Sequence, residues 1–115
     1  MLSFTATQAE IGNAEEGKAV FKNRCSDCHE VETDKRKIGP DLRGVWGRTS
    51  GTFKGFVYSE AMANAGVVWD EANLSAYLLN PKKFIPQNKM AFNGLKRPGE
   101  LEDLLEYLKS LTPPI

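Results

Sequence analysis

Two cysteines and one histidine are the whole stock of soft metal-binding side chains in this 115-residue chain, and they sit together as Cys25, Ser26, Asp27, Cys28 and His29. A four-ligand structural zinc site needs more Cys or His than the chain holds. A zinc protease needs two histidines one helical turn apart, which excludes that chemistry as well. A disulfide across so short a loop would remove little entropy from the unfolded chain. Cys-x-x-Cys-His does fit covalent attachment of c-type haem. Two thiols about one helical turn apart can each add to a vinyl group on the same porphyrin edge, and the imidazole that follows is carried under the ring toward the iron. The rival is a thioredoxin-like dithiol, which needs a strand before the motif and a βαβ setting. Here a helix is expected before it.

Iron has a second axial position. With no other histidine or cysteine in the chain, methionine is the neutral soft ligand that remains. Met1 is terminal, and Met62 falls in a short helical stretch where a methionine is ordinarily filler. Met90 follows Ile85, Pro86, Gln87, Asn88 and Lys89, an extended segment just past a helix, and a loop is a natural way to deliver a ligand. Met90 is therefore preferred over Met62.

The elements that must position these groups are helical. Asn13 can cap a first helix as an Asn version of the capping box with Glu16, and Gly17, Val20 and Phe21 share one face. A short helix fits Ser59 to Ala65, closed by Gly66. Another fits Glu71 to Leu79, capped by Asp70 and ended by Asn80 and Pro81. The last opens near Pro98, carries Glu100, Glu102 and Asp103 early, and lays down Leu101, Leu104, Leu105, Leu108 and Leu111 as an apolar stripe before Pro113. Between His29 and Ser59 nothing is periodic. A loop that long inside a small domain makes sense when it wraps a large apolar ligand that completes the core.

With fifteen basic and fifteen acidic residues the formal net charge is zero, which argues against a nucleic-acid binder. The balance is not local. The first seventeen residues carry −3, Ala72 to Gly99 carries +5 and Glu100 to Glu106 returns −4. The chain holds no run of eighteen apolar residues that could span a membrane. The first nine residues hold no lysine or arginine, so an intact signal peptide is not expected within this numbering.

Taken with GPDL at Gly39 to Leu42, GVWGR at Gly44 to Arg48, GFVYSE at Gly55 to Glu60, Trp69 and NPKKFIPQNKMAFNGLK at Asn80 to Lys96, the chain resembles a class I c-type cytochrome. It is similar to the mitochondrial proteins and their purple-bacterial relatives. The resemblance implies an all-α, small cytochrome c fold: three main helices, a short one, and long loops around covalently bound haem c. It implies thioether bonds from Cys25 and Cys28, and iron ligation by His29 and Met90. It makes the carbonyl of Pro40 the acceptor for the other ring N–H of His29. Arg48, Tyr58 and Trp69 match positions that hold a haem propionate, and Tyr77 the tyrosine packed near the methionine sulfur. Residues 1–12 then read as a tail, a linker stub if the chain is tethered, and 13–115 as one haem-binding domain. Met62 stands where mitochondrial members carry an asparagine.

The function so implied is one-electron transfer rather than enzymology, between a quinol-cytochrome c reductase and a cytochrome c oxidase or a photosynthetic reaction centre. The alternatives are the same transfer by a membrane-anchored form, and a haem peroxidase. Arg24, Lys37, Lys82, Lys83, Lys89, Lys96 and Arg97 are the expected docking residues, and a monomer is expected. Haem attachment to two free thiols implies a compartment outside the cytosol. Met62, the tail and the MAFNGL wording lean toward a bacterial periplasm over the mitochondrial intermembrane space.

Overall fold

A computed structural model describes residues 12–33 and 37–111. Its helices, in chain order, are α1 (Ala14–Arg24), α2 (Glu60–Asn64), α3 (Glu71–Leu79), α4 (Pro81–Phe84) and α5 (Glu100–Ser110). Among the described residues there is no strand, only an isolated antiparallel bridge between Thr49 and Val68. None of the helices is long and apolar enough to cross a membrane. The expected tail lies, up to residue 11, outside the described residues.

The principal contact is between α1 and α5. Gly17 sits at their crossing: a β-carbon there would run into the main-chain carbonyl of Asp103 and come within 2.8 Å of the Tyr107 Cβ. Only a residue without a side chain lets the two backbones approach this closely. Phe21 and Tyr107 then meet with ring centroids 5.8 Å apart, and Leu104, Leu105 and Leu108 bury the inner face of α5. Leu104, 1% exposed, is the best-buried of these side chains, while Leu101 and Leu111 are half-buried at the margins of the stripe. α5 packs in turn on α3, whose Leu74, Tyr77 and Leu78 are buried.

Caps account for most of the boundaries. Asp70 accepts from the Asn73 N–H at 2.9 Å, and Ser59 from the Met62 N–H at 3.1 Å. The expected capping box at α1 is only half made. Asn13 accepts from the Glu16 N–H at 3.1 Å, but its own N–H goes to the Asp103 carboxylate at 2.8 Å, so the start of α1 is tied to α5 rather than to itself. α5 opens at Glu100 after Gly99 in the left-handed region, two residues later than Pro98 suggests.

α4 departs from expectation outright. Asn80 and Pro81 do end α3, yet Asn80 is also the N-cap of α4, accepting from the Lys83 N–H at 3.3 Å with Pro81 at the first position. A proline lacks only an N–H that would be unpaired there, so one dipeptide stops one helix and starts the next in a new direction.

Candidate functional site

The end of α1 runs straight into the cysteine motif. The Cys25 and Ser26 N–H groups both reach the Phe21 carbonyl, and Cys28 and His29 donate to the Cys25 carbonyl at 3.0 Å each. This tight turn brings both thiols and the imidazole to the wall of one cavity of about 530 Å³. Burial pushes the Cys25 thiol up to about 11, so near neutral pH it is a protonated thiol rather than a metal-binding thiolate.

His29 is fixed from two sides. Its Nδ1 lies 2.7 Å from the Pro40 carbonyl oxygen. A carbonyl only accepts, so Nδ1 carries the proton and Nε2 keeps a free lone pair. Burial also holds the ring below the usual imidazole range, which favours that neutral tautomer. On its other side Gly39 leaves no room: a β-carbon there would collide with the ring Cε1 and lie 2.8 Å from Nδ1. The Gly39 N–H in turn donates to the Cys28 carbonyl at 2.6 Å, so the motif and the GPDL loop lock together.

Met90 lines the same cavity, and the Tyr77 hydroxyl reaches its sulfur at 3.8 Å. Burial pushes the Tyr77 phenol up to about 12, keeping it a donor. Met62 lines the cavity as well, from a helix that buries none of its residues.

Arg48, Tyr58 and Trp69 also face this cavity. The Arg48 guanidinium lies over the Phe53 ring at 5.1 Å and donates to the Arg43 carbonyl at 3.3 Å. The Tyr58 oxygen accepts from the Phe53 N–H at 3.1 Å, which leaves its own proton to donate elsewhere. Trp69 is 6% exposed, with its ring 5.0 Å from that of Tyr77. Every residue expected to touch the cofactor thus lines one cavity. Sequence reasoning missed the apolar lining from Leu42, Val45 and Phe92 and the buried Asn88; of these only Asn88, an amide beside a candidate ligand, had a visible signal.

The residues present fit a haem. Among the donors that line the cavity, one imidazole, two thiols and the Met90 thioether are of the kinds that haem c would take. The cavity falls in the range of cofactor-sized pockets, apolar with a few polar groups converging on it.

The expected docking residues do not form one free set. Arg24 pairs with Glu100 at 3.7 Å, and Lys37 donates to the Ser26 carbonyl at 2.6 Å. Lys82 donates to the Asn88 carbonyl at 2.6 Å and Lys89 to the Val57 carbonyl at 3.1 Å. Lys83, Lys96 and Arg97 are exposed, with no side-chain partner among the described residues.

The family profile named Cytochrome c matches residues 14–112. Cytochrome c 2.1 of Caenorhabditis elegans is 54% identical over 98 residues, 85% of this chain and 88% of that one. Cytochrome c of Chlamydomonas reinhardtii is 49% identical over 109 residues, 94% and 97% of the two chains, and that of Guizotia abyssinica 47% over 106, 91% and 96%. These organisms are eukaryotes, so the expected bacterial origin and periplasmic location find no support in them. A match that runs from the first turn of α1 past the end of α5 puts the chain in the cytochrome c family, as an electron-transfer protein rather than an enzyme, with Cys25, Cys28 and His29 as its motif for covalent haem c.

Proposed function

We propose that this chain shuttles single electrons between a quinol-oxidising membrane complex and a terminal acceptor, with the haem iron held between His29 and Met90. The observation that carries this reading is the pair of oriented groups on one cavity: the His29 ring donating to Pro40, which frees Nε2, and the Met90 sulfur under the Tyr77 hydroxyl. When bound, haem c would supply a one-electron iron couple, and holding it by a methionine and a histidine would raise its potential relative to two nitrogen ligands. The chain's own work would be to hold His29 and Met90 in place through oxidation and reduction, and to exclude water with the apolar lining of the cavity. His29 and Met90 would both be committed to holding the haem, which suits electron transfer rather than substrate turnover.

The test of the ligand assignment is the weak near-infrared band that a sulfur–iron bond gives in the oxidised holoprotein. Met90→Ala is expected to lose it and Met62→Ala to keep it; the reverse would overturn the assignment.

Residues 13–115 act in this reading as one haem-binding unit, with the preceding tail a linker stub only if the protein works while tethered. Eukaryotic relatives favour the mitochondrial intermembrane space over a periplasm. Docking falls first to Lys83, Lys96 and Arg97, whose charges are uncommitted, with Lys37, Lys82, Lys89 and Arg24 contributing from paired positions. Exposed charges of this kind raise the encounter rate more than the affinity and are screened by salt. Electron transfer to the partner complex should slow as salt rises, and more steeply in the native protein than in a Lys83→Gln, Lys96→Gln, Arg97→Gln triple variant. Equal salt slopes would exclude these three residues from docking.

A further inference from the structure

Asn88 is 5% exposed, and every hydrogen-bonding position of its side chain is used. Its Nδ2 donates to the Ile85 carbonyl at 2.8 Å and the Pro81 carbonyl at 3.0 Å. Its Oδ1 accepts from the Met90 N–H at 2.9 Å and from the Lys82 ammonium at 3.2 Å, and the same ammonium donates to the Asn88 main-chain carbonyl at 2.6 Å. A carboxamide offers two donors and two lone pairs, and here all are matched. The amide cannot be turned over, because its NH2 would then face an N–H and an ammonium. An aspartate would put carboxylate oxygens against two carbonyls, and a serine or threonine lacks the second donor.

These bonds bridge α4 to the residue two positions on, so they decide where the Met90 backbone sits. Just before Asn88, Gln87 has φ 69°, the only described residue other than glycine in the left-handed region. An L side chain there is disfavoured, so the approach to Met90 relaxes once nothing holds it.

We propose that Asn88 is the positioning residue for Met90: its buried carboxamide, braced by Lys82, holds the sulfur-bearing segment on the cavity against a strained turn. The proposal rests on Met90 as the axial ligand.

The experiment measures how readily added imidazole displaces the protein's sulfur in the oxidised holoprotein, followed by loss of the near-infrared band, beside global unfolding in denaturant. Imidazole competes only with molecules whose methionine has let go, so its apparent affinity reports the released population. Leaving the carbonyl and N–H partners of Asn88 unpaired should raise that affinity roughly tenfold or more in Asn88→Ala, and by a smaller factor in Lys82→Met, which keeps the stem and loses only the ammonium. Should Asn88→Ala yield no holoprotein, Lys82→Met carries the test, and unchanged imidazole affinity in it then overturns the proposal. Native imidazole affinity in Asn88→Ala, with the band lost in Met90→Ala, overturns the positioning role and leaves the ligand standing. A band that survives in Met90→Ala brings down both.

Discussion

The two loops that carry the proposed iron ligands are built differently. On the histidine side the backbone itself is bonded: His29 to Cys25, Gly39 to Cys28 and Leu42 to Glu30, with the ring pinned between Pro40 and Gly39. On the methionine side the N–H groups after Pro86, as far as Lys96, make few such bonds, those of Asn88 to Ile85 and Leu95 to Leu78. Side chains do the rest: Asn88 holds the Met90 N–H, Lys89 reaches across to Val57, and Tyr77 touches the sulfur. One proposed ligand is held by main-chain bonds next to the haem-attachment cysteines, the other by a handful of side chains and a strained turn. The methionine side is therefore where opening should begin, because local opening follows the elements with the fewest buried backbone bonds.

The largest effect should come from breaking the rigid side. Gly39→Ala keeps a backbone that alanine can adopt but drives a methyl group into the His29 ring, and overpacking of this kind costs about 3 kcal/mol. Denaturant unfolding of the holoprotein should show that loss, together with a shifted reduction potential, since the ring cannot stay both on Pro40 and clear of the methyl. A Gly39→Ala protein as stable as the native one would mean that the histidine loop yields easily, and the contrast between the two sides would fail.

Next in size is a pH effect on the soft side. The Tyr77 phenol is pushed from 10.0 up to about 12 by burial. A raised phenol pKa favours the folded state fully below pH 10, and the contribution is lost as pH climbs toward 12, because the unfolded chain ionises first. Two pH units correspond to roughly 2–3 kcal/mol. The native protein should therefore lose stability between pH 10 and 12 relative to Tyr77→Phe, which has no phenol to ionise. Parallel stability curves for the two proteins would show that the phenol is not held neutral by the fold.

Much of this could be read from residue order, and the pattern of success follows the range of the interactions. α1, α3 and α5 announce themselves because a cap and an apolar stripe are local properties, and Asn13, Asp70 and the leucines of α5 behave as their spacing suggests. The haem motif is equally local, five consecutive residues. Met90 is preferred by elimination and then over Met62 by its place in a loop, and both methionines line the cavity. α4 stayed hidden because Asn80 and Pro81 signal a stop and a start at once, and the Thr49–Val68 bridge because a single pair has no period. Nothing in the order of residues says that Lys82 spends its charge on Asn88, or that Arg24 meets Glu100. Those pairings depend on where separate loops land, and a basic residue looks equally free until its neighbours are known.

The smallest effect is the one that discriminates best between the two sides. Gln87 lies outside the core, and its φ of 69° is a conformation that glycine adopts without cost and glutamine does not. Gln87→Gly removes that strain, worth about 1–2 kcal/mol for an L residue, and returns part of it through the greater freedom of glycine in the unfolded chain, so a net gain of roughly 0.5–1 kcal/mol is expected. If the turn is strain held in place by Asn88, the gain should concentrate on the methionine side: added imidazole should displace the sulfur less readily, while amide exchange of His29 and Gly39 stays as it was. A gain spread evenly over both loops would assign Gln87 to overall folding instead, and a loss of stability would mean that the glutamine side chain makes a contribution larger than the strain it causes.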